Sequence, residues 1–457
     1  MSRSSWLLLI GCLGSLAFGV TCWWLGLDVA ATKVAAVTFL TAFLWVTEPI
    51  PIPATSLIPF AALPLLGILD HKQVAAAYGD PMVLLLLGGF MLSTAMAKSG
   101  AHRRLALGMV RLVGGQGGRR LVLGFMIASA VCSMWISNTA TVLMMLPIAM
   151  AVLEENDDPG LAVPLMLGVA HASSLGGVAT PIGTPPNVIF MKQYEIETGT
   201  AWGFVDWMMI GVPIVVLFLP LMWWWLVRHT PKTGRVTLPA QGPWRLAEIL
   251  VLIVFTLTAL LWVTRKEGFG GWSTWLPDPT AVDDGTVALF SVIVLFMLPS
   301  GDGGRLLDWK TAAKIPWGLL LLFGGGIAIA HAFKSSGLSE TLGEHLAVLA
   351  RWPLLPTVVV LCLVVTFLTE ITSNTATTTL LMPILAAAGT AALIDPSRLM
   401  VPAAISASCA YMLPVATAPN AIVFGTGRVT TQEMARSGVA LNLIGVVVVT
   451  TVCVLAL

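Results

Sequence analysis

The pentapeptide Ser-Asn-Thr-Ala-Thr occurs twice, at 137–141 and 373–377, and each copy leads into an apolar stretch that contains a proline, VLMMLPI and TLLMPIL. Hydroxyl and carboxamide groups both donate and accept hydrogen bonds, so each copy offers polar contacts without a formal charge. A second polar patch follows each copy: TPIGTPPN at 180–187 and LPVATAPNAI at 413–422, with Thr184 as far beyond Ser137 as Thr417 is beyond Ser373 to within a few residues. Proline removes a backbone donor and clashes with the preceding turn, so these patches interrupt any helix that contains them and free carbonyls and N–H groups. Freed carbonyls, with Ser and Asn oxygens, form a hard-oxygen site for a desolvated sodium ion. Helix N-termini and hydroxyl donors suit a carboxylate. The chemistry on offer is the binding of a cation and an anion side by side. Bond-breaking chemistry is not: the chain has no HExxH or GxSxG motif and no paired aspartates inside apolar segments.

The distribution of charge sharpens this reading. No Lys or Arg lies between Leu121 and Phe190, and between Trp352 and Gly427 there is only Arg398, in a predicted loop. A buried anion here has no guanidinium clamp and depends on hydroxyls, amide donors, helix dipoles and bound cations, so coupling to cations follows from electrostatics. An isolated Ser or Thr in an apolar helix ordinarily bonds back to the preceding turn or joins helices, and only the paired repetition sets these motifs apart. His171, Glu370 and His331 are ionisable groups within apolar segments. They raise the question of proton or ion coupling, with a structural hydrogen bond the expected role. The glycine-rich LLGGF and LFGGGIA lack the Lys-Ser/Thr tail of a phosphate loop and are expected to allow bending or close packing.

The elements that must position these motifs follow from composition. Of 457 residues, 57% are hydrophobic and 10% charged, against roughly 25% charged in soluble domains. This is the signature of a polytopic, all-α protein whose surroundings are the lipid bilayer. A net charge of +1 offers nothing to nucleic acid. The six cysteines all sit in apolar segments without CxxC spacing and read as small core residues. The first apolar run continues through Trp23 and Trp24, too long for a cleaved leader, and reads as a retained helix.

Spans are expected near 6–27, 33–50, 54–70, 81–98, 163–193, 203–228, 244–264, 284–299, 316–334, 397–427 and 437–457. Two more apolar segments, 121–152 and 354–392, carry a Ser-Asn-Thr near their middle and read as re-entrant hairpins, because non-helical backbone at membrane depth must line a cavity or be buried in protein. With about 11 transmembrane helices and two such hairpins, Arg103, Arg104, Arg111, Arg119, Arg120, Arg228, Lys232, Arg235, Arg305, Lys310, Lys314, Arg428 and Arg436 all fall in loops on one face, expected to be cytoplasmic. The N-terminus is then cytoplasmic and the C-terminus external. The chain divides into a first helix (1–32), a repeat at 33–228, a cytoplasmic linker at 229–243 and a repeat at 244–457. An odd number of spans per repeat makes the second copy inverted, a pattern of secondary transporters.

The paired motifs CSMWISNTATVLMMLPIAM and TEITSNTATTTLLMPIL, with GTPPN and TAPNAIVFG downstream and LLLLGGFMLSTAMAKSG and LLLLFGGGIAIAHAFKSSGL upstream, resemble the divalent anion/sodium symporter (DASS, INDY-type) family of dicarboxylate carriers along nearly the whole chain. The resemblance implies one Na+ site at Ser133, Ser137, Asn138 and the Gly183 backbone. It implies a second at Thr369, Asn374 and the backbone near Ala416. Substrate carboxylates are implied at Ser137, Asn138, Thr139, Ser373, Asn374, Thr375, Thr417 and Pro419. It further implies sodium-coupled symport of C4 dicarboxylates such as succinate, malate or fumarate by an elevator motion of a homodimer in a bacterial inner membrane. A dicarboxylate exchanger of the same fold, or a sulfate or citrate carrier, is the alternative.

Overall fold

The computed structural model describes residues 2–114, 117–155, 159–230, 242–265, 271–346 and 353–457, and every regular element among them is a helix. Of the expected linker 229–243, residues 231–241, with Lys232 and Arg235, lie outside the described residues. The first half runs α1 (Arg3–Trp24), α2 (Val29–Thr47), α3 (Ile52–Thr55), α4 (Ile58–Leu65), α5 (His71–Tyr78), α6 (Pro81–Ser99), α7 (Ala101–Gly114), α8 (Gly118–Ser133), α9 (Asn138–Glu155), α10 (Pro159–Gly176), α11 (Pro185–Thr198) and α12 (Phe204–Val227). The second runs α13 (Leu246–Val263), α14 (Asp284–Met297), α15 (Trp309–Ala312), α16 (Trp317–Ser335), α17 (Leu338–Leu346), α18 (Leu354–Thr369), α19 (Asn374–Ala391), α20 (Ser397–Ala407), α21 (Ala418–Phe424) and α22 (Thr431–Ala456).

Every expected span corresponds to helix. Among the described residues eight helical stretches are long and apolar enough to cross a membrane unaided. The spans expected at 54–70, 284–299 and 397–427 are built instead from α3 with α4, from the short α14, and from the interrupted pair α20 and α21. Both hairpins form: α8 turns into α9 over 134–137, and α18 into α19 over 370–373. The proline patches break the chain where their composition requires it. Pro185 and Pro186 open α11, and Pro419 sits in the first turn of α21, where a missing N–H costs nothing.

The halves repeat one construction with opposite direction. α8 packs on α10 as α18 packs on α20, while α9 packs on α21 and α19 on α11. α12 and α22 begin with equivalent boxes, Asp206 accepting from the Gly203 N–H at 2.6 Å and Glu433 from the Thr430 N–H at 2.9 Å. Leu226 near the end of α12 nevertheless lines the same cavity as Glu433 near the start of α22, so these equivalent helices run antiparallel. That is the inverted repeat seen directly.

One element was hidden by its charge. The arginine-rich stretch after α6, expected as a loop, is the helix α7, whose Ala101, Ala106, Leu107 and Val110 are buried against α8 while Arg111 and Leu112 face outward. Buried positions three and four apart make one helical face, and the arginines occupy the other. All six cysteines are free, five of them buried, and Cys12 is exposed on α1.

Candidate functional site

Four helices start at one place. Ser137, Thr184, Ser373 and Thr417 immediately precede α9, α11, α19 and α21, and all four residues line a single cavity of about 500 Å³. Three of these side chains turn back to cap their helices: the Ala140 N–H donates to Ser137 Oγ at 3.2 Å, the Ala376 N–H to Ser373 Oγ at 3.5 Å, and the Asn420 N–H to Thr417 Oγ1 at 3.2 Å. Each helix N-terminus carries about half a positive elementary charge in unsatisfied N–H groups. The cavity is thus electropositive along this wall without Lys or Arg.

The carbonyl ends of α8 and α18 approach the same cavity through their turns, and there the sequence-expected cation ligands meet. Ser133 Oγ donates to Asn138 Oδ1 at 2.7 Å, and Thr369 Oγ1 lies 2.6 Å from Asn374 Oδ1 and 2.9 Å from the Ala407 carbonyl oxygen. The two pairs are equivalent in the repeat. Thr369 has one hydroxyl proton for two nearby acceptors, so oxygens outnumber hydrogens, as a small hard cation requires. Gly177 and Gly183 pack tightly on each other and on the first pair: a Cβ on Gly183 would stand 2.4 Å from the Gly177 oxygen, and one on Gly177 would stand 2.6 Å from Asn138 Oδ1. Only glycine permits that approach.

All eight residues expected to meet substrate (Ser137, Asn138, Thr139, Ser373, Asn374, Thr375, Thr417 and Pro419) line this cavity, as do Gly183 and Ala416. Ser133 and Thr369 do not line it. They lie buried one layer behind, bonded to Asn138 and Asn374. Several contributors were not foreseen. Thr372 joins the second motif's residues, and the lining also takes in Val46, Glu48, Leu86, Phe90, Pro316 and Leu319. Glu48 is the one formally charged side chain among the described lining residues. It ends α2 with φ 46°, a left-handed conformation uncommon for a residue with a Cβ.

Two devices hold the breaks open. The Asn187 amide donates to the Gly177 carbonyl at 2.9 Å and to the Thr180 carbonyl at 2.7 Å, ten and seven residues upstream. The Asn420 amide donates to the carbonyls of Ala410 at 3.1 Å and Leu413 at 3.0 Å, at the same two separations. The Asn after the prolines in each downstream motif is thus a brace, which the equal placement of PPN and APN in the sequence signals.

The second device exists in one half only. Glu370, 3% exposed, accepts from the N–H groups of Tyr411, Met412 and Leu413 at 2.8, 2.9 and 3.0 Å and from the Asn442 amide at 2.8 Å. The carboxylate therefore fixes the unwound segment that leads to Ala416 and Thr417. The first half has Met134 at the equivalent turn. There the Trp207 indole donates to the Val178 carbonyl at 2.8 Å, and the Thr180 hydroxyl bonds to the Met134 carbonyl. His171 is fully buried, its ring centroid 5.0 Å from that of Tyr411, away from the cavity-lining residues. His331 lies on α16 and does not line the cavity.

Comparison with known proteins gives consistent results. The family model for the sodium:sulfate symporter transmembrane region matches residues 16–456. The chain is 42% identical over 444 residues to the sodium-dependent dicarboxylate transporter SdcS of Staphylococcus saprophyticus subsp. saprophyticus, covering 92% of this chain and 85% of the relative. It is 40% identical over 441 residues to the protein of the same name from Staphylococcus aureus (strain USA300), covering 91% and 84%. Among solved structures, the MtrF efflux pump of Neisseria gonorrhoeae superposes with a TM-score of 0.61 over 96% of this chain and 97% of its own. The YdaH transporter of Alcanivorax borkumensis does so with 0.60 over 84% and 88%. Both are 14% identical to this chain, a likeness of fold alone.

Proposed function

This chain belongs to the sodium:sulfate symporter family, and from that premise we propose that it is a secondary active transporter that couples sodium entry to symport of C4 dicarboxylates such as succinate, malate or fumarate across a bacterial inner membrane. The chain is not an enzyme, in keeping with relatives that are named as transporters. The observation that carries the reading is the cavity itself: two Ser-Asn-Thr motifs and four helix N-termini converge on it, with Glu48 as the single formal charge among the described lining residues. Such a cavity attracts a dianion too weakly to strip its water unless cations arrive with it.

In this reading one sodium binds at Ser133, Ser137, Asn138 and the Gly183 carbonyl, and a second at Thr369, Asn374 and the carbonyl near Ala416. The substrate carboxylates lie against Ser137, Asn138 and Thr139 at one end and Ser373, Asn374, Thr375, Thr417 and Pro419 at the other. Two equivalent donor clusters suit an anion with a carboxylate at each end. A third full charge has no partner and is expensive to bury. The hairpins and interrupted helices of the repeats at 33–228 and 244–457 form a moving transport unit in a homodimer that works as an elevator. The N-terminus and the linker 229–243 are cytoplasmic and the C-terminus external.

The test is reconstitution in liposomes with labelled succinate. Uptake should follow an imposed Na+ gradient and fail when K+ replaces Na+. Uptake driven by internal succinate without sodium would make the protein an exchanger, and stronger competition by sulfate than by succinate would make it a sulfate carrier.

A further inference from the structure

A second polar cavity, of about 410 Å³, lies at the end of the bundle where α10 and α22 begin and α12 finishes, and it shares no lining residue with the transport site. Its inner wall is apolar, from Val163, Pro164, Leu167 and Leu226, and its mouth carries Arg228, His229, Arg436 and Glu433. Glu433 is already engaged: one of its oxygens accepts from the Thr430 N–H at 2.9 Å and from the Thr430 hydroxyl at 2.7 Å, closing the cap of α22. Neither arginine pairs with it as a salt bridge among the described residues. Arg228 and Arg436 line this one space together.

Three features hold Arg228 in place. Its guanidinium stacks 3.5 Å from the centroid of the Trp225 ring and donates to the Trp225 carbonyl. The segment after it is pinned by Arg119, whose Nε donates to the Thr230 carbonyl at 2.8 Å, while Trp223 donates to the Arg119 carbonyl at 2.8 Å. Thr230 lines the cavity and is 1% exposed, yet its hydroxyl has no partner among the described residues. A buried donor left open in a cavity that two arginines line calls for an anionic oxygen.

The depth of the cavity identifies the class of anion. α12 has 24 residues, about 36 Å of helix against roughly 30 Å of hydrocarbon, so its end stands at the membrane surface. Trp223, Trp224 and Trp225 close the helix, with Trp224 59% exposed, as an interfacial aromatic belt would be. Basic groups between helices at this level, above an apolar wall, match a phosphodiester carrying acyl chains. We infer that this cavity is a binding site for the headgroup of an anionic phospholipid, with Arg228, Arg436 and the Thr230 hydroxyl on the phosphate and the Val163–Leu167–Leu226 wall against the upper acyl chain.

The test needs no transport assay, so it stands or falls apart from the proposed function. The full chain, delipidated in detergent, is titrated with phosphatidylglycerol or phosphatidylethanolamine, and adducts are counted by native mass spectrometry. One phosphatidylglycerol per chain should bind at least tenfold more tightly than phosphatidylethanolamine. Arg228→Gln and Arg436→Gln should each weaken it about tenfold, the loss of a charge-assisted contact, and Thr230→Ala by less. Arg120→Gln, the same charge change on an exposed residue outside the cavity, should leave it unaltered, and Arg436→Lys should keep most of it. Size-exclusion profiles matching the wild type establish that the variants are folded. Equal binding of the two lipids, or undiminished binding when Arg228→Gln and Arg436→Gln are combined, overturns the site. Displacement of phosphatidylglycerol by millimolar inorganic phosphate overturns the lipid assignment, because the cavity is then a site for soluble anions.

Discussion

Replacing Glu370 by Gln tests how far a buried carboxylate organises one half of the site. In the wild type its two oxygens take four N–H donors at 2.8 to 3.0 Å. Glutamine retains one carbonyl acceptor and turns an NH2 toward at least one of them. Hydrogen bonds to a charged acceptor contribute about 1.5–3 kcal/mol and neutral ones about 0.5–1.5, while a buried donor left unpaired costs about 1–3. Three weakened bonds and one orphaned N–H sum to roughly 4–7 kcal/mol. That loss falls on the segment 411–413, which positions Ala416 and Thr417. If the segment then holds its proper form only about a tenth of the time, the apparent affinity of the proposed second sodium site falls about tenfold. Liposomal succinate uptake measured against Na+ concentration should therefore show half-saturation shifted upward by about that factor, with a lowered melting temperature in detergent. The KM for succinate at saturating Na+ should change less than threefold, because mass action refills the site. A folded Glu370→Gln protein with unchanged sodium dependence, or with succinate KM and sodium dependence lost in equal measure, would refute the reasoning.

Asn138→Ala and Asn374→Ala should each weaken sodium and substrate affinities together, by about tenfold or more, since each carboxamide bonds to a proposed cation ligand and lines the cavity; uptake against both concentrations checks this. Glu48→Gln should raise the sodium concentration needed for half-maximal uptake about two- to threefold at low ionic strength, an effect fading at high salt as screening would dictate. Citrate should compete with succinate better as pH falls from 7.5 toward 5.5, because its doubly charged form becomes commoner, while acetate and lactate compete weakly at every pH. In a background without native cysteines, Arg120→Cys should react with impermeant maleimide only from the cytoplasmic side.

The parts of the site that prolines, glycines and repeated polar residues announce were readable from the sequence. Ser137, Asn138, Ser373, Asn374 and Thr417 carry their own signal, because hydroxyls and carboxamides next to helix breakers in apolar surroundings have few other uses. The rest of the lining carried none. Glu48 ends a helix almost ninety residues before the first motif, and only the packing of α2 and α16 beside the hairpins brings it there. Glu370 was visible as an anomaly, but its partners are main-chain N–H groups some forty residues on, and backbone donors leave no trace in residue identity. α7 was missed because its arginines lower the mean hydropathy on which a span is recognised, although its apolar face was present at helical spacing.

The exchange of partners between the halves, α9 on α21 and α19 on α11, bears on how the chain can be made. α9 leaves the ribosome long before α21, a delay on the order of half a minute at ordinary translation rates. Through that interval the polar tip at Ser137–Asn138–Thr139 has its partners from α8 and the Gly177 break but not α21, and exposed polar backbone of this kind is not stable against lipid. Maturation is therefore a late event of high contact order: the first hairpin must wait, parked against α10, until about the last tenth of the protein arrives to receive it. A nascent chain stalled before residue 418 should remain sensitive to membrane proteases, and a substitution in α21 should lower the yield of a hairpin that was synthesised nearly three hundred residues earlier.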